Sequence, residues 1–280
     1  FIDIFLYPII SSILAGGLCG AIGFHIFRFG VMTISFGIAH AALAGAAIGL
    51  LIGVDPTYSA LFMSLSIALL IGVLSIKIAY GRELITMAIF SASSAIALFS
   101  IYVSNTKVLA TTSVAMILWG SILAITKVKL LTLVTLAILF LIYVSAYRTH
   151  IDSILFDKKL AEAEGINVYL HTLILLFFTG ACVAITLRLT GGFLVFTLLY
   201  NPVATALQIV RNARKQLVLA STLGSLSALV GLFISYILDL PVGATIAITS
   251  TIILATTCIV RSCIDRSRLK YLVIIGKKGK

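Results

Sequence analysis

The chain of 280 residues carries nine carboxylates, four histidines and four cysteines, and their positions limit the chemistry open to it. All nine acids (Asp3, Asp55, Glu83, Asp152, Asp157, Glu162, Glu164, Asp239 and Asp265) fall in predicted loops, span ends, termini or tail. A carrier driven by protons or sodium places an acid near the bilayer midplane. Energy for any transport is therefore expected from outside this chain. GxxxxGK[ST], HExxH and GxSxG are all missing, which argues against ATP binding by a phosphate loop and against protease or lipase chemistry. Cys19, Cys182, Cys258 and Cys263 lack metal or redox spacing and read as small packing residues. His40, about nine residues into an apolar stretch, is the candidate that stands out. A buried histidine is costly in a membrane unless partnered, so it is a functional candidate, and its neutral imidazole is a metal-ligating group that costs less to bury than a carboxylate. The competing reading is a histidine bonded across helices to a carbonyl or a serine.

The elements that must hold these residues follow from composition. The chain is 61% hydrophobic and 10% charged, with mean hydropathy +1.21, far from a soluble domain. It reads as an all-α, polytopic membrane protein forming a single transmembrane domain over 1–280. The runs lack the ten-residue alternation of a membrane β-barrel, and no basic stretch precedes the first run as a signal peptide would require. Spans of about 20 residues are expected at 4–27, 31–54, 57–78, 83–103, 129–147, 168–188, 193–210, 216–238 and 243–262. The apolar segment 109–125 is short and is expected not to cross. With 148–167 placed in the cytoplasm, Arg28, Lys77, Arg82, Arg148, Lys158, Lys159, Arg211, Arg214, Lys215 and seven tail bases lie inside. Only Lys107, Lys127, Lys129 and Arg188 lie outside. That bias predicts an outside N-terminus and a cytoplasmic C-terminus. The net charge of +11 thus reflects orientation and contact with anionic lipid, by the basic tail 263–280 above all, and not nucleic acid.

Within the second span Gly37, Ala41, Gly45 and Gly49 repeat at every fourth residue, beside His40. Such a stripe permits close helix approach or lines a narrow path. Gly16 and Gly20 are similarly spaced in the first span. Asp55-Pro56 and Asp239-Leu240-Pro241 read as tight turns, and Arg82-Glu83 as an interfacial pair. Pro202 predicts a break in mid-span, where Asn201 either repairs freed carbonyls or faces the path.

The long polar interruption, Arg148 to Asn167, holds four of the nine acids. Asp157 is placed as an N-cap, LAEAE is helix-forming, and Gly165 stands where a left-handed residue would end the helix. Leu155, Phe156 and Leu160 give it an apolar side. A charged amphipathic helix between spans suits contact with a soluble partner; a solvated loop is the plainer reading.

Several stretches together resemble the permease subunit of ABC importers for zinc, manganese and iron. ISFGIAHAALAGAAIGLL is similar to the family's G-D-A-L-S-H-A-A-L-P-G-V, with His40 on its histidine. TSVAMILWGSILAITKVKL, FDKKLAEAEGINV, LLYNPVATA and SYILDLPVGATIAI resemble further family segments in the same order. The resemblance implies a homodimeric, non-enzymatic transport subunit in a prokaryotic inner membrane, with no cofactor of its own. It implies two ATPase subunits docked on 156–165, through Phe156, Asp157, Leu160, Ala161, Glu162 and Gly165, and an extracytoplasmic protein delivering the metal. The path would then run past His40, Gly37, Ala41, Gly45 and Asn201. Two departures matter: the family's acid four residues before the histidine is Phe36 here, and its preceding serine is Ala39. With the acid lost, a site would need the second subunit's histidine to approach across the Gly37–Gly49 stripe. A metal chelate or another small solute is the alternative cargo.

Overall fold

A computed structural model describes residues 2–77, 81–108, 111–121, 125–191 and 195–278, and the side chains of most of them. Among the described residues there are helices and turns and no strands. The helices are α1 (Ile2–Arg28), α2 (Met32–Ile52), α3 (Pro56–Lys77), α4 (Arg82–Val103), α5 (Thr111–Trp119), α6 (Lys127–Ala146), α7 (Arg148–Phe156), α8 (Lys158–Ala163), α9 (Val168–Thr190), α10 (Val195–Ile209), α11 (Ala213–Leu238) and α12 (Val242–Lys278). A π turn, Ser104–Val108, extends α4.

Eight of these helices are long and apolar enough to cross a membrane. The stretch expected as a ninth span is shorter: α10 has 15 residues, about 22 Å at 1.5 Å per residue against a hydrocarbon core of about 30 Å. The start of that expected span, 193–194, lies outside the described residues. α5, with nine residues, is about 13 Å long and too short to cross. It is held by a backbone approach: Gly120 and Gly191 both have positive φ, and a Cβ on either would strike the other segment's carbonyl at Leu189 or Leu118.

Small residues set the seams. α1 and α11 run antiparallel in direct backbone contact, Gly16 against Gly224 and Gly20 against Ala220, where an added Cβ would overlap the facing carbonyl. α2 sits at the centre, its face from Ile34 to Ala47 almost wholly buried. Cys19 and Cys182 are buried thiols with sulfurs 3.6 Å apart, packing one against the other. Asp55 Oδ1 accepts from Thr57 N–H at 2.7 Å, and Asp239, at φ 51°, ends α11 in the left-handed region. Both acids therefore act as turn residues. Of the expected Arg82–Glu83 pair, the Arg82 side chain lies outside the described set.

One end of the bundle gathers the end of α1, all of α7 and α8, and the start of α11. Arg28 donates to Gln216 Oε1 at 2.8 Å, Asp152 lies 3.9 Å from Arg148 and 3.8 Å from Arg214, and Lys158 Nζ donates to the Phe29 carbonyl. The segment 148–167 is thereby fastened to the bundle end.

Candidate permeation and coupling sites

His40 lies about 12 Å along α2 from its first residue. Ser94 Oγ of α4 is 2.9 Å from His40 Nδ1 and donates to the Phe90 carbonyl at 2.7 Å. Having given its one hydrogen to that carbonyl, the hydroxyl takes one from Nδ1, and Nε2 becomes the acceptor nitrogen of the ring. The Phe90 ring meets the imidazole at a centroid distance of 4.2 Å. The serine partner across helices, one of the two sequence readings, is thus present. The same contact fixes the orientation of the imidazole ring between α2 and α4.

One turn earlier, Phe36 occupies the place of the family's acid and packs on Phe196 of α10 at 5.1 Å between centroids. The acid's place is thus taken by an aromatic contact between α2 and α10. Among the described residues no three His, Cys, Asp or Glu side chains converge as a metal set would.

The glycine stripe differs from its path-lining expectation. Gly45 is covered by Ser59, Ala60 and Met63 of α3, and Gly49 by Ser59 and Pro56. Gly37 faces Ile71 and Thr86, and Ala41 is fully buried. The chain's own α3 and α4 fill the stripe, so a second subunit's His40 has no approach across it. Close packing is what these residues do here, because no side chain intervenes between the two backbones. Asn201 is likewise engaged between helices. Its amide donates to Ser250 Oγ and Thr251 Oγ1, both at 3.0 Å, while those hydroxyls donate to the Ala247 carbonyl. Asn201 therefore ties α10 to α12 beside Pro202, in place of repairing the carbonyl that Pro202 frees.

At the bundle end, local sequence builds the coupling segment. Asp157 Oδ1 accepts from Lys159 N–H at 2.8 Å and Leu160 N–H at 3.0 Å, capping α8. At its far end Gly165, with φ 84°, donates to the Glu162 carbonyl and Ile166 to the Ala161 carbonyl, both at 3.0 Å. That paired pattern with a left-handed glycine closes the helix. Asn167 Oδ1 then caps α9 through Leu170 N–H at 2.9 Å. Ile151, Ile154 and Ala161 turn inward, Ala161 with 0% exposure. Phe156 is 83% exposed and Leu160 48%, with exposed Asp157, Glu162 and Glu164 around them. Of the residues expected to meet a partner, Ala161 is turned away from that surface and anchors the helix from behind, while Phe156 and Leu160 are the apolar groups presented. Sequence reading passed over His150 and His171, which lie beside this segment with ring nitrogens 3.3 Å apart. Nothing in their spacing of 21 residues announced the contact.

The chain is similar to known proteins over most of its length. The manganese transport system membrane protein MntC of Listeria monocytogenes is 32% identical over 246 residues, covering 88% of this chain and 86% of that protein. The manganese import system permease protein ScaB of Streptococcus gordonii is 28% identical over 249 residues, with 88% and 87% covered. A solved structure, PsaBC from Streptococcus pneumoniae in complex with Fab, shares the fold with a TM-score of 0.77 at 23% identity and covers 90% of each chain. The family model described as the ABC 3 transport family matches residues 2–261, and the chain belongs to that family.

Proposed function

We propose that this chain is the membrane-spanning, non-enzymatic subunit of an ABC importer for a divalent transition metal ion, manganese foremost. The observation that carries the reading is the likeness, over nearly the whole chain, to permeases named for manganese. A separate ATPase, two copies in the assembled importer, docks on the face presenting Phe156, Leu160 and Glu162, which Asp157 and Gly165 shape and Ala161 supports. A second copy of the chain completes the path, and an extracytoplasmic protein delivers the ion. The end carrying 148–167 and the C-terminus faces the cytoplasm of a prokaryotic cell, and the N-terminus faces out, a reading supported by the distribution of bases.

The ion's passage relies on His40. One neutral imidazole per chain, with Phe36 standing in the place of the family's acid, holds a dication weakly, since a tight site needs three or four protein ligands. Weak holding suits a group that must release its cargo. Gly37, Ala41 and Gly45 contribute by letting α2 seat against α3 and α4, which fixes where His40 stands. The test is Mn2+ uptake by proteoliposomes holding the permease, its ATPase and its binding protein. His40→Ala lowers uptake about tenfold or more while assembly is unchanged; normal uptake makes His40 a packing residue. Orientation is checked separately with a membrane-impermeant thiol reagent in a background lacking Cys258 and Cys263. Asp55→Cys is labelled from outside and Lys158→Cys is not; labelling at 158 inverts the topology.

A further inference from the structure

Two histidines used by neither the path nor the docking face meet at the root of the coupling segment. His150, on the first turn of α7, is exposed, and His171, on the first turn of α9, is buried. Their facing nitrogens, His150 Nδ1 and His171 Nε2, are 3.3 Å apart. The other ring nitrogen of His171, Nδ1, is 2.9 Å from the Tyr143 hydroxyl. In the tautomer of His171 that carries its hydrogen on Nδ1, that hydrogen goes to the Tyr143 oxygen and the lone pair sits on Nε2, facing His150. Tyr147 packs against both imidazoles, 5.3 Å from His171 and 5.8 Å from His150 between centroids, and fixes their planes.

The two nitrogens, 3.3 Å apart, are within hydrogen-bond reach, and the same separation serves a second purpose. It matches two imidazoles on one tetrahedral ion, whose nitrogens lie about 3.3–3.4 Å apart when each metal–nitrogen distance is about 2.0–2.1 Å. Metal-bound histidines also direct the second ring nitrogen to an oxygen, as His171 does to Tyr143. We propose that His150 Nδ1 and His171 Nε2 form a two-imidazole site for a nitrogen-preferring divalent transition-metal ion, Zn2+ foremost, that ties α7 to α9. His150 carries its proton on Nδ1 when empty and on the other ring nitrogen when the ion is bound, so no net proton is released. Water completes the shell, because among the described residues no third His, Cys, Asp or Glu joins the pair. Nitrogen ligands favour late first-row ions over Mn2+, so the site discriminates against the proposed cargo. The two anchors bracket the coupling segment, and an ion between them restrains its movement. The site stands whatever the cargo is.

The test uses the full-length permease in lipid nanodiscs with Zn2+ as the probe. Carbethoxylation of His150 by diethyl pyrocarbonate, read by peptide mass spectrometry, slows about tenfold at saturating Zn2+, as expected when the metal holds one nitrogen and a proton blocks the other. In His171→Gln that protection disappears. Should His171→Gln fail to fold, His150→Ala, at an exposed position, gives the second measurement. By equilibrium dialysis it binds one Zn2+ per chain fewer than wild type, and the same decrement appears in a His40→Ala background. Equal reaction of His150 with and without Zn2+, or undiminished zinc binding by His150→Ala, overturns the site. Neither readout depends on transport, so failure here is separable from failure of the importer reading.

Discussion

α2 and the segment 148–167 meet one requirement in two solvents. α2 lies inside the bundle, where the polar group of His40 takes its partner from a neighbouring helix through Ser94. Its glycines bring α3 into contact with its backbone. The segment 148–167 lies at the bundle end, where Asp157, Gly165 and Asn167 satisfy helix ends within a few residues of themselves. It exposes Phe156 and Leu160 while Ala161 is buried behind them. The imidazole in α2 takes a partner 54 residues away, whereas the helix ends of the segment take theirs locally. Substitutions should therefore spread through the whole protein in the first region and stay confined in the second.

The largest effect is expected at Gly45. A Cβ there would overlap the Ser59 carbonyl and the Met63 side chain, and a backbone carbonyl cannot swing aside. Gly45→Val should cost more than the roughly 1–3 kcal/mol typical of overpacking, because two helices must separate along their length. Thermal unfolding in detergent should show the permease lost or its midpoint sharply lowered. A stable Gly45→Val protein would mean that α2 and α3 are parted in the working state.

That contrast also explains what the sequence made legible. The cap at Asp157 and the stop at Gly165 were readable because their partners lie within three to five residues. The stripe from Gly37 to Gly49 announced a close approach but not whose: α3 of the same chain and a second subunit satisfy the same pattern. Ala161 had no readable direction, since six residues of helix give too short a period to separate an inner from an outer face. The expected span at 193–210 was an apolar run, and hydropathy does not register that Gly191, at positive φ, ends the preceding helix just before it. His150 and His171 were invisible for the opposite reason, being brought together only by the way α7 and α9 fold against each other.

Within the segment, two neighbours should behave differently. Ala161→Trp places a large ring where there is 0% exposure, and overpacking of about 1–3 kcal/mol should detach α8 from the bundle. Limited proteolysis near 160 should increase and ATPase association should fall with it. Phe156→Ala should leave proteolysis unchanged and still weaken association, by about 1–3 kcal/mol if the ring fills a pocket on the partner. Equal behaviour of the two would erase the inner and outer faces drawn here.

The smallest effect, at Asp157, separates geometry from charge. Its carboxylate accepts two backbone N–H groups of α8, which in Asp157→Ala are left to water at this exposed position. Losing such a cap costs about 1 kcal/mol, enough to raise hydrogen exchange across 158–163 roughly fivefold while the membrane helices are unaffected. Asp157→Asn keeps an acceptor oxygen at the same reach, and asparagine caps as well as aspartate. Exchange in Asp157→Asn should therefore match wild type. If Asp157→Asn instead exchanges like Asp157→Ala, the charge and not the oxygen holds the helix start, and α8 depends on long-range electrostatics with neighbours such as Lys158 and Arg214. If both variants match wild type, α8 is held wholly from behind by Ala161, and the local character assigned to this segment fails. Only the outcome in which alanine loosens α8 and asparagine does not keeps the two regions distinct in kind.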